Sequence, residues 1–149
     1  MQESEEKNIQ IKEITTSREI RDCFPVLTQL RDMYKDEDKF VELIQRHFKE
    51  GYKLACLYEG DIVKAVAGYR FFECLAWGKV LYIDDLVTDN DSRSKGYGGV
   101  LMDWVIDLGR KEDCDQVHLD SNLDRIDAHR FYLKHKFDKI CFHFSVKLK

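Results

Sequence analysis

Ile9 to Ile14 alternates apolar and polar residues, the period of a half-buried strand. Ser17 is placed to cap a helix whose apolar face is Ile20, Phe24, Leu27 and Leu30, with Pro25 an irregularity within it. A second helix is predicted from Asp38 to Phe48, with Phe40, Ile44, His47 and Phe48 at helical spacing. Tyr52 to Tyr58, the turn Glu59-Gly60-Asp61, and Ile62 to Phe72 read as a β-hairpin. After Trp77-Gly78, Val80 to Thr88 is almost continuously apolar apart from two aspartates, which predicts a central strand. Leu101, Trp104, Val105 and Leu108 mark an amphipathic helix. Gln116 to Asp120 reads as a short strand and Asp124 to His135 as another helix. At the C-terminus, Ile140, Phe142, Phe144, Val146 and Leu148 alternate with Cys141, His143, Ser145 and Lys147, the pattern of a final strand. The succession predicts an α/β (α+β mixed) fold, with helices packed on a central sheet.

Composition narrows the class. The chain has 149 residues, 44% hydrophobic and 35% charged, which suits one globular domain over residues 9–149. Residues 1–8 are polar and acidic, a short tail and not a signal peptide. No apolar run approaches the ~18–20 residues of a membrane helix. The net charge is −4 with no long basic block, which disfavours nucleic acid as a partner. Five cysteines, odd in number and without a CxxC pair, argue against zinc and against a disulfide framework, so no metal is expected and the compartment reads as cytoplasmic.

Candidate chemistry concentrates in Arg93-Ser94-Lys95-Gly96-Tyr97-Gly98-Gly99, between the central strand and an amphipathic helix. Three glycines in four positions let the backbone approach a ligand closely. The helix that starts here has first-turn N–H groups without intrahelical partners, so the stretch suits a pyrophosphate, with Arg93 nearby. The spacing is G-x-G-G, neither a dinucleotide fingerprint nor a P-loop. A glycine-rich helix start without a ligand remains the alternative on the loop alone.

A second pattern lies downstream, Ala128-His129-Arg130-Phe131-Tyr132-Leu133-Lys134-His135-Lys136-Phe137. Together, Arg93-x-x-Gly96-x-Gly98 and this segment resemble the R/Q-x-x-G-x-G/A and A-x-x-F-Y-x-x-x-G-F signatures of GCN5-related N-acetyltransferases (GNAT), over roughly residues 9 to 148. The resemblance implies a central mixed, mostly antiparallel sheet flanked by about four helices. It also implies acetyl-CoA as co-substrate, held by Arg93, Ser94, Lys95, Gly96, Tyr97, Gly98 and Gly99 and by the strand backbone at Leu86, Val87 and Thr88. Two positions depart from the family pattern: Lys136 stands where glycine is usual, and Arg125 where many members carry an asparagine.

The implied reaction is attack of a primary amine on a thioester. Such an amine has a pKa of roughly 10, so only about one in a thousand is neutral at pH 7 and a proton acceptor is needed. In Tyr82-Ile83-Asp84-Asp85-Leu86-Val87 the two carboxylates should project to opposite strand faces, and burying either unpaired is costly. Each has the alternative of pairing with a lysine or arginine, and one β-bulge would exchange their faces. The segment resembles the Y-L-E-D pattern of polyamine-type members, a register that implies Asp84 as catalytic base and leaves Asp85 to hold the cationic acceptor. Tyr132 matches the family's general acid, the alternative being packing against Phe131 and Phe137. The resemblance places an acceptor pocket near Tyr34, Asp36, Glu37, Asp38, Glu42, Phe72, Glu73 and Trp77, acids that a solvated helix face explains equally well.

The expected function is acetyl transfer to a small cationic metabolite such as a polyamine, amino sugar or amino-acid-like amine. A peptidyl lysine or N-terminus is the close variant, and a non-catalytic acyl-CoA-binding module the reading from another class. The final strand either pairs across a homodimer or ends in its own sheet.

Overall fold

The computed structural model describes residues 8–149. Of the tail expected over residues 1–8, only Asn8 falls among them, and its carbonyl accepts from the Gly60 N–H. The chain divides into two compact units, one running to His118 and the other Leu119–Lys149.

In the first unit, β1 (Ile9–Ile14), β2 (Lys53–Glu59), β3 (Ile62–Cys74) and β4 (Gly78–Thr88) pair in sequence as antiparallel neighbours. β5 (Gln116–Leu119) takes the edge beside β4, giving five strands in the order β1-β2-β3-β4-β5. Helices α1 (Ser17–Leu30) and α2 (Glu37–Lys49) follow β1, and α3 (Tyr97–Lys111) follows a 3-10 turn at Asn90–Lys95. With α4 (Ile126–Lys134) in the second unit there are four α-helices among the described residues, so the mixed, mostly antiparallel α/β fold is as expected. No helix among them is long and apolar enough to cross a membrane.

Local chemistry explains the boundaries. The cap of α1 is Thr16, one residue before the expected Ser17. Its hydroxyl accepts from the Glu19 N–H while Glu19 Oε1 accepts from the Thr16 N–H, a reciprocal capping box. Burdened with three hydrogen bonds to its carboxylate, chiefly from the Thr15 N–H, Glu19 is held down at a pKa of about 2. Asp36 caps α2 through the Lys39 N–H, which starts that helix at Glu37. Pro25 lies inside α1, and the helix continues through it to Leu30.

Strand alternation sorts the core onto two faces. Leu54, Cys56, Tyr58, Val66 and Val87 pack with Ile20, Cys23 and Leu27 of α1 and Phe40 and Ile44 of α2. The intervening Ala55, Leu57, Ala67, Tyr69 and Leu81 are equally buried on the other face, where Leu81 approaches Gly109 of α3. Each fully buried Leu, Met or Val on α3 (Leu101, Met102, Val105) contributes about 1.5–3 kcal/mol.

The second unit holds α4 and the chain end. Residues 138–149 form no strand, against the expectation from their alternation. Ile140, Phe142, Phe144, Val146 and Leu148 all stand exposed. Alternation makes a segment fit for a sheet face, but a strand exists only through a partner's hydrogen bonds, and no strand among the described residues pairs with this segment.

Candidate acyl-transfer site

The two aspartates of β4 do not alternate. In the ladder with β3, Gly68 pairs with Asp85 and Tyr69 with Ile83, so Asp84 is the extra residue of a β-bulge. Leu81 and Ile83 keep the parity of the α3 side, and the bulge turns Asp85 and Val87 to the side of α1 and α2. Asp84 and Asp85 therefore belong to one cluster instead of opposite faces. Arg70 Nε and Nη2 both donate to Asp84 Oδ2, at 2.8 and 2.6 Å. Arg31, at the end of α1, donates through Nε to Asp85 Oδ1 at 2.7 Å and through Nη2 to the Asp84 carbonyl at 3.0 Å. The Tyr52 hydroxyl donates to Asp85 Oδ2 at 2.5 Å, and the Arg70 guanidinium lies over the Tyr52 ring at 5.5 Å.

Gly68 makes this closeness possible. A Cβ there would overlap the Tyr52 hydroxyl and crowd the Asp85 carboxylate, so the phenol can reach its acceptor only across bare backbone. Burial, reinforced by the neighbouring Asp85 charge, pushes the Tyr52 phenol well above its ordinary pKa and keeps it a donor. Asp84 Oδ1 accepts no hydrogen bond among the described residues, which leaves one carboxylate oxygen available to an incoming donor. Beside the cluster, a cavity of about 90 Å³ opens between α1 and α2, with Arg31, Tyr34, His47, Tyr52 and Asp85 in its wall and apolar residues making up the rest.

The glycine loop follows directly. Gln29 of α1 clamps its start, donating to Asp89 Oδ1 at 2.8 Å and accepting from the Asn90 N–H at 2.9 Å. Ser92 is buried, with its N–H on the Asp89 carbonyl, while Arg93, Ser94 and Lys95 are exposed. Gly96 adopts φ 78°, a left-handed turn that swings the chain into α3. Gly96 at the cap has no side chain to offer, so the N–H groups of Gly98 and Gly99 lack a side-chain cap. Tyr97 itself is buried and donates to Glu59 Oε2 at 2.6 Å. The half-buried amides of Gly98 and Gly99, with the exposed Arg93 and Lys95, offer the donors and positive charge that suit a phosphate anion.

β5 begins level with Lys79, whose carbonyl accepts from the Asp115 N–H at 2.7 Å and whose N–H donates to the Asp115 carboxylate at 2.9 Å. Four residues at about 3.3 Å each flank only the first part of the 11-residue β4. Leu86, Val87 and Thr88 pair with Ala67, Val66 and Ala65 of β3 on one edge.

Tyr132 sits on α4 in the second unit, half-buried between Phe131 and Phe137, with ring centroids 5.6 and 6.1 Å away. Burial raises its pKa, against a smaller opposing pull from Arg125. Lys136 adopts φ 68°, so the position where glycine is usual demands a left-handed backbone here too.

Arg31, Arg70 and Tyr52 were not among the expected site residues. The signal available was the demand of two carboxylates in an apolar strand for cations, and Arg31 does lie four residues beyond Leu27 on the apolar stripe of α1. Most acids near the expected acceptor pocket have structural work instead. Asp36 caps α2, and Glu37 and Asp38 pair with Arg21. Trp77 stacks on His118 at 4.0 Å, and Phe72 packs against Tyr82. Of that group, Tyr34 lines the cavity.

A five-stranded sheet flanked by helices, with a charged cluster on its interior strand β4 beside a helix start that no side chain caps, defines the class, an α/β domain with a polar site on its sheet. The model of the acetyltransferase (GNAT) family matches residues 15–137. The chain belongs to that family and is an acetyl-transferring enzyme. It is 38% identical over 124 residues to the uncharacterized N-acetyltransferase YhdJ of Bacillus subtilis, covering 83% of this chain and 87% of that one. It is 29% identical over 97 residues to the aminoalkylphosphonate N-acetyltransferase of Salmonella typhimurium, covering 65% of this chain and 62% of that one. Among solved structures, the ribosomal-protein-alanine N-acetyltransferase of Brucella melitensis superposes with a TM-score of 0.81 at 12% identity, covering 95% and 99% of the two chains. The glucosamine-6-phosphate N-acetyltransferase of Arabidopsis thaliana superposes with a TM-score of 0.75 at 18% identity, again covering 95% and 99%. At those identities the superpositions show a shared fold.

Proposed function

We propose that this enzyme transfers an acetyl group from acetyl-CoA to the primary amine of a small metabolite. The observation that carries the reading is the uncapped start of α3 behind Gly96, reached from the bulged strand through a loop pinned by Gln29. Amides of Tyr97, Gly98 and Gly99, with Arg93, Ser94 and Lys95, would hold the pyrophosphate of acetyl-CoA. The backbone of Leu86, Val87 and Thr88 would lie along its pantetheine arm. When bound, acetyl-CoA supplies an activated acyl group to the amine. Asp84 is the proton acceptor for the substrate ammonium, through the oxygen that Arg70 leaves free. A backbone N–H near Val87 or Thr88 stabilises the oxyanion. Tyr132, which keeps its proton because burial raises its pKa, donates to the departing thiolate.

The acceptor is a small molecule on two grounds. The space beside Asp85 is a narrow cavity of about 90 Å³ between two helices, a size that suits a small amine. The Salmonella relative, by its name, acetylates aminoalkylphosphonates. Calorimetric titration with acetyl-CoA and with free CoA, on the wild type and on Arg93→Ala, tests the cofactor half. Saturable binding by both ligands, weakened about tenfold or more in the variant by loss of a charge-assisted phosphate contact, is the expected result. No binding by the folded wild type refutes the proposal.

A further inference from the structure

The charged cluster on β4 is balanced, and the balance speaks to the acceptor. Two carboxylates, Asp84 and Asp85, face two guanidiniums, Arg70 and Arg31, through direct ion pairs of 2.6 and 2.7 Å. A site evolved to draw in a polycation would present unpaired carboxylate, since a neutral cluster exerts little net pull on charge. Exposure is also divided unevenly. The Asp85 and Asp84 side chains are only 13% and 19% exposed, whereas those of Arg31 and Arg70 are 42% and 39% exposed. A ligand arriving at the cluster therefore meets guanidinium before carboxylate.

We infer that the acceptor is a zwitterionic amine, a small molecule with a primary ammonium and a carboxylate, phosphonate or phosphate a few bonds away. This deepens the acetyl-transfer reading and rests on it. The anionic end engages the open edges of the guanidiniums. Arg31 spends Nε and Nη2 on the aspartates and keeps Nη1, while planar forks of this kind suit a two-oxygen or three-oxygen anion. His47 stands in the same cavity wall, edge-on to Tyr52 at 5.9 Å between ring centroids, and adds a second donor there. The ammonium end takes Asp84 Oδ1, the oxygen that Arg70 leaves free. Tyr52 ties the halves together, because one ring carries Arg70 over its face and holds Asp85 through its hydroxyl. Binding such a molecule leaves the cluster neutral, where a polyamine would add uncompensated positive charge beside two arginines.

The test is a thiol-release assay with acetyl-CoA over matched amines: β-alanine against β-alaninamide, 2-aminoethylphosphonate against its diethyl ester, and putrescine and spermidine as polycations. The expected result is a preference of about tenfold or more in kcat/KM for each acid over its neutral partner, the size of one charge-assisted contact. Arg31→Lys and Arg70→Gln should shrink that ratio, chiefly through KM for the acids. The ratio within one preparation cancels any difference in folded fraction, so a poorly folding variant still gives an answer. Equal or better turnover of the amides, the esters or the polyamines overturns the zwitterion inference while acetyl transfer stands. Turnover of no amine at all removes the transfer reading, and this inference falls with it.

Discussion

Changing Tyr52 to phenylalanine isolates the contact on which the cluster's geometry depends. The phenol is buried, its hydroxyl lies 2.5 Å from Asp85 Oδ2, and the backbone of Gly68 closes the space beneath. A hydrogen bond to an ionised group is worth about 1.5–3 kcal/mol net. Asp85 retains its bond to Arg31 and is 13% exposed, so partial rehydration should offset the upper part of that range, leaving a loss of about 2 kcal/mol. In an Asp85→Asn background the same substitution removes a neutral hydrogen bond of about half the strength, so the loss should be about 1 kcal/mol and the coupling energy about 1 kcal/mol. Urea unfolding followed by tryptophan fluorescence is the assay, because Trp77 and Trp104 both lie in the first unit. At an m-value of about 2 kcal/mol/M the single variant's midpoint should fall by about 1 M with m unchanged. A loss below about 0.5 kcal/mol, or equal losses in the two backgrounds, would refute the claim that this phenol holds the carboxylate.

Burial pushes up the phenols of Tyr52, Tyr58 and Tyr69, so each stays protonated in the folded chain after its unfolded counterpart has ionised at about pH 10. Above that pH the unfolded state binds fewer protons and stability must fall, by up to about 4 kcal/mol per pH unit for three groups at ~1.4 each. Unfolding midpoints between pH 9 and 11, read beside phenolate absorbance, should show this decline; a flat profile in which these phenolates form near pH 10 in the still-folded chain would contradict it. Lys136→Gly relieves a left-handed backbone at an exposed position and should stabilise by about 0.5–1 kcal/mol, raising Tm by a few degrees. An unchanged or lower Tm would show that the lysine side chain compensates its backbone.

Periodicity made the elements of the first unit legible because each is read from its own residues. The apolar stripe of α3, the alternation of β1 and the hairpin turn at Gly60 are properties of contiguous sequence, and they came out within one or two residues. The placement of Gly96 and the start of α3 were legible for the same reason, since glycine, helix onset and apolar face adjoin. Caps shifted because the hydroxyl of Thr16 and the carboxylate of Asp36 outcompete the neighbours that pattern alone favours. The C-terminal alternation misled because it reports a face and says nothing of a partner.

The bulge at Asp84 was illegible for a deeper reason, and it decides the site. Ladder register belongs to two strands, so no reading of Tyr82 to Val87 alone can say that Gly68 opposes Asp85 while Tyr69 opposes Ile83. One extra residue moved Asp85 from the α3 side to the α1 side, against Arg31, 54 residues away in sequence. Without the bulge, Asp85 would follow Leu81 and Ile83 onto the apolar face under α3, an unpaired charge in a core, which costs several kcal/mol. The sequence thus carried the constraint that two adjacent carboxylates could not alternate across a strand buried on both faces. The bulge satisfies it by gathering both charges on one side, where α1 and β3 each supply an arginine. The alternation that failed at Asp84 and Asp85 is, on this argument, the reason a polar site exists on an otherwise apolar strand.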